Sequence, residues 1–293
     1  MNIFLLLVFL VVYLMTMVGN ILIIVLVVAD QHLHTPMYFF LGNLSCLETF
    51  YSSAILPRML SSLLTRDRTI SVTACFVQHY LFANLAAVEC YLLSAMSYDR
   101  YLAICKPLHY VSLMSGKLCL QMASGSWIAG FLASTITIIL MSRLVFCGPN
   151  EIDHFFCDTF PIIQLSCSNT FFLRTLILFF VSVFTLPPFT LTLMSYMYIM
   201  IAILKIPSIT GRKKAFSTCS SHLIVVTIYY STIAAVYVLP GSTSLKDLNK
   251  TFSVFYTILT PLVNPLIYSL RNKDVRESLQ RFAVIAWVRE LRQ

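Results

Sequence analysis

Seven stretches of this 293-residue chain are long enough, and free enough of charge, to cross a hydrocarbon layer, and that constrains its fold more than any other feature. They run over about 3–29, 36–56, 69–98, 118–142, 175–204, 215–239 and 251–270, and only Glu48 and Glu89 bring formal charge into them. An apolar helix needs about 20 residues to span a bilayer. Barrel strands would instead show alternating segments of about 10 residues, so these unbroken runs favour helices. Composition agrees, with 58% hydrophobic residues, 11% charged residues and a mean hydropathy of +0.83, far from soluble usage. The expectation is an all-α membrane protein: one seven-transmembrane helix bundle over residues 1–293, with no separate domain.

Seven spans place the termini on opposite sides, and the distribution of Lys and Arg orients them. With the C-terminus inside, the cytoplasmic face holds thirteen basic residues, among them Arg100, Lys106, Lys205 and Arg212 to Lys214, against seven outside. The expected location is therefore the plasma membrane, multi-pass, with the N-terminus extracellular. The net charge of +8 reads as topology and attraction to anionic lipid; it sits at helix ends and forms no nucleic-acid stripe. The first apolar run is longer than a signal-peptide core and no small-residue cleavage site follows, so it is expected to remain as a helix. After Arg271 the pattern turns amphipathic (Val275, Leu279, Phe282 and Ile285 among charges), which predicts a surface helix over about 273–288.

Cys75, Cys147, Cys157 and Cys167 fall on the oxidising outer side under this topology, three of them in the long segment 143–174. Four cysteines allow three pairings, which sequence leaves open. Pro187 and Pro188 in the fifth span, and Pro261 and Pro265 in the seventh, each remove a helix hydrogen bond and permit a kink.

A carboxylate at membrane depth is expensive and faces the bundle interior. Phe82, Glu89, Met96 and Arg100 form one helical stripe, which should face the other helices. Glu48 and Glu89, facing each other, would share a proton or hold a cation such as sodium; alternatively they are neutral and hydrogen-bonded to Asn20 or Asn264. Asp99 and Arg100 end the third span as a local ion pair, either an interfacial anchor or a latch.

The run MSYDRYLAICKPLHY, Met96 to Tyr110, resembles the third-helix signature of odorant receptors, which belong to the rhodopsin-like, G-protein-coupled class. The resemblance covers nearly the whole chain: Gly19 and Asn20, PMYFFLGNLS from Pro36, Trp127, Ser195 and Tyr196, KAFSTCSSHL from Lys214, and PLVNPLIYSLRN from Pro261. It implies a receptor for small, mostly apolar odorants that activates a stimulatory, olfactory-type heterotrimeric G protein and raises cyclic AMP. It further implies the disulfides Cys75–Cys157 and Cys147–Cys167, and a sodium site at Glu48 and Glu89 with the ion acting allosterically and no other cofactor. The implied ligand cavity comprises Phe82, Ala83, Ala86, Ala87 and Cys90 on the third helix, Phe180, Val181 and Phe184 on the fifth, Ile233, Ala234 and Tyr237 on the sixth, and Val254 and Thr257 on the seventh. The implied switch comprises Asp99, Arg100, Tyr196, Tyr230, Asn264, Pro265 and Tyr268. Such a cavity holds few polar groups and no fixed charge, so apolar burial would dominate affinity.

Tyr229, Tyr230 and Ser231 stand where the family carries Phe-Tyr-Gly. The chain also begins almost at its first span, without a glycosylated tail, so surface delivery is expected to suffer. Asn43 to Ser45 and Asn249 to Thr251 fit the glycosylation sequon but lie in or beside spans. A metal site on His154 and Cys157 is the rival use of the loop cysteines. An ion- or proton-coupled transporter is the rival function, with the two glutamates as the path; the lack of matching halves counts against it. No HExxH or GxSxG motif occurs, and no enzymatic activity is expected.

Overall fold

A computed structural model describes the backbone of residues 3–147, 151–167, 170–237 and 246–290. Helix α1, Ile3–Ala29, is followed by a 3-10 turn, Gln31–Leu33, that Asp30 opens by accepting the His32 N–H at 3.0 Å. Helix α2, Pro36–Thr65, starts on a proline, whose missing N–H would have had no helical partner there. The sequence placed the end of the second span near Leu56, but the helix continues through Pro57 to Thr65 and stops at Arg66, which is left-handed with φ 61°. Loss of apolarity marks where hydrocarbon ends, and backbone hydrogen bonding goes on past it.

Ser71 caps α3, Val72–Cys105, by accepting the Ala74 N–H at 3.2 Å, and α4, Pro107–Leu113, follows almost without a break. Ser115 likewise caps α5, Gly116–Met141, through the Leu118 N–H at 3.3 Å. In the long segment after α5 lies α6, Thr159–Gln164, and beyond it α7, Phe171–Lys205, runs unbroken through Pro187 and Pro188. Helix α8, Ile209–Tyr237, precedes α9, Lys246–Val254, a π-type turn at Phe255–Leu259, and α10, Thr260–Arg271. Helix α11, Lys273–Glu290, ends the described chain. Among the described residues there is no β-strand, and a single antiparallel bridge joins Phe146 to Ser166.

Helices α1, α3, α5 and α7, together with Lys250–Tyr268, are long and apolar enough to cross a membrane; the apolar part of α8, Cys219–Ala235, is shorter. Helix α2 carries Glu48, Arg58 and several hydroxyls, which lower its apolarity. The chain is thus an all-α, multi-pass membrane protein. Helix α3 is the hub: 67% of its most apolar stretch is buried, against 22% for α1 and 17% for α7. It packs on α2, α5, α7 and α8. The outward faces of α1 and α7, including Phe4, Val18, Phe179 and Met197, are the surfaces left to lipid.

Two close approaches fix the bundle. At Gly130 in α5, a Cβ would lie 2.4 Å from Val88 Cγ2 and 2.7 Å from the Asn84 carbonyl oxygen of α3, so only a glycine lets these helices meet so closely. In α10, Pro265 has no N–H to give to the Pro261 carbonyl four residues back. Asn20 of α1 supplies the missing donor through Nδ2 at 3.2 Å, and Gly19 beside it makes room, since a Cβ there would lie 3.1 Å from Pro265 Cβ.

Candidate functional site

The first turns of α3 are tied to the long loop between α5 and α7. Cys75 is bridged to Cys157, and Cys147 to Cys167. Gln78 reinforces the first bridge: its Oε1 accepts the Cys157 N–H at 3.1 Å, and its Nε2 donates to the Ala54 carbonyl of α2 at 3.0 Å. The loop therefore dips into the bundle and carries Phe156 with it, 3% exposed. Phe82 packs on Phe156, Tyr51 and Tyr256 with ring centroids 4.9, 5.5 and 5.8 Å apart, an aromatic cluster that draws on α2, α3, the loop and the π-type turn. His154 stacks on Phe155 with centroids 4.8 Å apart, and its burial, followed by the Lys250 charge, brings its pKa down to about 4. No group of three or more metal-ligating side chains occurs among the described residues.

Below that cluster, α8 is bound to α3 by two tyrosines. The Tyr229 hydroxyl donates to the Ala86 carbonyl at 2.6 Å and lies 3.2 Å from Cys90 Sγ, while the Tyr230 hydroxyl reaches the Cys90 carbonyl at 3.4 Å. The Tyr230 ring packs on Phe189 of α7 with centroids 4.8 Å apart. Of the residues expected to line a cavity, Phe82, Cys90 and Thr257 are buried, and Ala83, Ala86, Ala87, Phe180, Phe184 and Ile233 are half-buried. The Thr257 hydroxyl is turned back onto the Ser253 carbonyl at 2.6 Å. Val181 and Ala234 are exposed, and Val254 packs with Leu56, Met59 and Ile258 on the α2 side. The Tyr237 side chain lies outside the described residues.

Glu48 and Glu89 are both buried at the mid-depth of α2 and α3, within electrostatic reach of each other. Asn264 Nδ2 donates to Glu48 Oε1 at 2.5 Å, whereas Glu48 Oε2 and Glu89 Oε1 have no hydrogen-bond partner. Of the two amides the sequence offered, Asn264 takes the glutamate and Asn20 takes the Pro261 carbonyl. Two buried, unpartnered carboxylate oxygens fit a proton or a small hard cation, because oxygen donors suit such ions.

At the end of α3 remote from the disulfide, Asp99 is fully buried and holds Arg100 in an ion pair, with Arg100 Nε at 2.9 Å from Oδ2. The Tyr110 hydroxyl of α4 donates to the other carboxylate oxygen at 2.7 Å. Tyr196 of α7 and His222 of α8 share a hydrogen bond of 2.6 Å from hydroxyl to Nδ1, and His222 Nε2 has no partner. Tyr268 is fully buried with its hydroxyl likewise unpartnered. Sequence reasoning missed His222, Tyr110, Phe156 and the depth of Tyr229. A histidine inside an apolar span was the readable signal for His222; nothing in the spacing marked the others.

The tie between chain ends is also polar. The Tyr38 hydroxyl lies 2.7 Å from Asp274 Oδ2 and 3.0 Å from Asn272 Oδ1, and Arg281 of α11 pairs with Asp30 at 2.8 Å. The neighbouring Ser278 hydroxyl, with the hydrogen bonds from Arg281 and His32, holds the Asp30 carboxyl well below the usual carboxylate range.

Comparison with known proteins gives this arrangement a lineage. The family model for olfactory receptors matches residues 9–285. Human olfactory receptor 11L1 is 48% identical over 94% of this chain and 85% of its own length. Human olfactory receptor 6F1 is 49% identical over 92% of this chain and 88% of its own, and mouse olfactory receptor 5AP2 is 47% identical over 93% and 86%. The chain, with its buried acidic pair, disulfide-bridged loop and Asp99–Arg100 ion pair on a central helix, belongs to the olfactory receptor family.

Proposed function

We propose that this chain is an odorant receptor: a seven-span bundle, N-terminus outside and C-terminus inside, in which a small apolar odorant bound among α3, α7, α8 and the end of α9 with the π-type turn promotes nucleotide exchange on a stimulatory, olfactory-type G protein and raises cyclic AMP. The observation that carries this reading is the placement of both ends of the apparatus on one helix. The aromatic cluster at Phe82 and the double tyrosine contact at Ala86 and Cys90 sit on α3 above the Asp99 and Arg100 pair. A ligand wedged between α3 and α8 competes with the Tyr229 and Tyr230 contacts, so its binding energy is differential between closed and open arrangements, as population shift requires. Outward movement of α8 would separate Tyr196 from His222 and free Arg100 for the G protein; Pro265 and Tyr268 support the open state. The surfaces lining the cleft carry no charge, so neutral hydrophobic molecules are the ligand class, held by apolar burial.

The acidic pair belongs to the same proposal. Glu48 and Glu89, with Asn264 beside them, would hold a sodium ion, whose charge would let both carboxylates stay ionised in the resting state. Glu48 Oε2 and Glu89 Oε1 are the oxygens left without a hydrogen-bond partner, and protonation of either carboxylate would release the ion.

A screen of neutral odorants in cells carrying a cyclic AMP reporter tests the reading, with Arg100→Ala as the paired variant. A response to a neutral odorant, lost with Arg100→Ala at matched surface expression, is the expected result. Substrate flux in cells lacking the G protein, with no cyclic AMP response, would replace the receptor by a transporter.

A further inference from the structure

The outer halves of α2 and α3 diverge below the 66–71 connection and leave a crevice of about 550 Å³, open along the outside of the bundle. Its volume falls within the range of about 300–1,000 Å³ typical of small-molecule sites. The crevice is separate from the aromatic cluster around Phe82, and neither the acidic pair nor the latch reaches it. Its lower wall is apolar and naked: Val77 and Leu81, one helical turn apart on α3, are 51% and 43% exposed, and Ala54 and Ala74 keep the slot open.

Its upper end is built for negative charge. Arg58, half-buried, donates to the Thr69 carbonyl, a neutral acceptor that uses only part of a guanidinium with five N–H groups. The acid in the crevice, Asp67, accepts the Thr69 N–H at 2.9 Å and the Thr69 hydroxyl at 2.7 Å on one oxygen, Oδ1, and those bonds, with a smaller share from the Arg58 charge, hold its pKa below the usual range. Arg66 and Arg68 flank it in the sequence. The positive end of the α3 dipole opens there as well, with Ser71 capping one of its N–H groups. Arg58 lies just beyond the apolar part of α2, at the depth where lipid headgroups begin.

We propose that this crevice binds a single-chain anionic amphiphile from the outer leaflet, a long-chain carboxylate whose headgroup pairs with Arg58 and whose alkyl chain lies along Val77 and Leu81. A carboxylate matches the fork geometry of arginine, and one chain of moderate length matches the apolar wall. The occupant also touches Gln78, the side chain that ties α2 to the loop at Cys157.

The test uses the full-length receptor purified in a neutral detergent and a long-chain fatty acid carrying a mid-chain diazirine. Photolabelled peptides are mapped by mass spectrometry. The expected adduct lies on α3 around Val77 and Leu81, competed by palmitate and left intact by methyl palmitate and phosphatidylcholine. Arg58→Gln is expected to weaken competition by roughly 10- to 100-fold, the equivalent of one hydrogen bond to a charged group. Ala74→Trp fills the slot while leaving the Arg58 contact with Thr69, and is expected to abolish labelling in a monodisperse receptor. Undiminished labelling of Ala74→Trp, or equal competition by the methyl ester or by phosphatidylcholine, would overturn the proposal and leave the crevice as a surface wetted by bulk lipid.

Discussion

Replacing Gly130 with alanine adds one methyl group at the place where α5 and α3 touch, and the structure sets its consequence. The new carbon would lie 2.4 Å from Val88 Cγ2 and 2.7 Å from the Asn84 carbonyl oxygen, far inside van der Waals contact. Neither neighbour yields easily. Val88 is fully buried and β-branched, so its χ1 is confined to one favoured rotamer in a helix, and the carbonyl belongs to the α3 backbone. The helices must separate, which by analogy with overpacked cores costs about 1–3 kcal/mol. Against this stands the better helix propensity of alanine, up to about 1 kcal/mol. The net expectation is destabilisation by about 1–2 kcal/mol, a fall of roughly 2–8 °C in the unfolding midpoint. Thermal denaturation of the detergent-purified receptor, followed by size-exclusion recovery, reads this directly. Gly125, on the same helix with nothing within 4 Å of its added Cβ, is the internal control, and Gly125→Ala should be neutral or stabilising. Adding Val88→Ala to Gly130→Ala should recover part of the loss by removing the nearer clash. If Gly130→Ala melts at or above Gly125→Ala, the close-approach argument is wrong.

Asp30→Asn should loosen α11 by under about 1 kcal/mol, since the Arg281 partner is partly exposed; faster hydrogen exchange over residues 273–282, with no such change in Lys273→Ala, is the expected readout. Because the Asp30 carboxyl is held below its ordinary range, that contribution is present at neutral pH and is lost as pH falls into the acid range. His154 works in the same direction for a different reason: with a pKa of about 4 against 6.5 for a free histidine, the unfolded loop takes up the proton first, so docking of the loop is strongest above about pH 6.5 and weakens toward pH 4. Rate-corrected hydrogen exchange over residues 151–167 should show this, up to about 3 kcal/mol, and His154→Phe should flatten the profile. Tyr229→Phe removes the hydroxyl that joins α8 to the Ala86 carbonyl, a loss of about 1 kcal/mol in the closed arrangement, and should raise basal cyclic AMP severalfold at equal surface expression; unchanged basal signalling would deny that this contact restrains α8.

The helices were legible because hydrocarbon imposes a simple code. Charge-free length marked α1, α5 and α7 to within a few residues of their ends. Where the code fails, another force governs: α2 outran its apolar stretch by about nine residues because backbone hydrogen bonding, and not apolarity, decides where a helix stops, and the serine and threonine hydroxyls near its end are satisfied within the helix, as Ser62 is by Met59 and Thr65 by Ser61. At the site, Glu48 and Glu89 stood out because charge in lipid needs a reason, and their spacing gave Glu89 the inward face. Partner choice was not legible. Nothing in the one-dimensional pattern says that Asn264 rather than Asn20 meets Glu48, that Tyr110 completes the Asp99 latch, or that Phe156 reaches Phe82; each depends on how helices distant in sequence lean together.

A proline in a buried helix leaves a carbonyl with nowhere to turn, and here the remedy is borrowed from another segment. Because the amide of Asn20 answers the carbonyl of Pro261, the first and last spanning segments share one hydrogen-bonding account of their backbones. Neither can rotate or slide away without stranding a polar atom in oil. On the proposed reading, motion during signalling falls on the opposite flank, where α7 and α8 meet through side chains, with the α1 and α10 pair as the frame against which that flank turns.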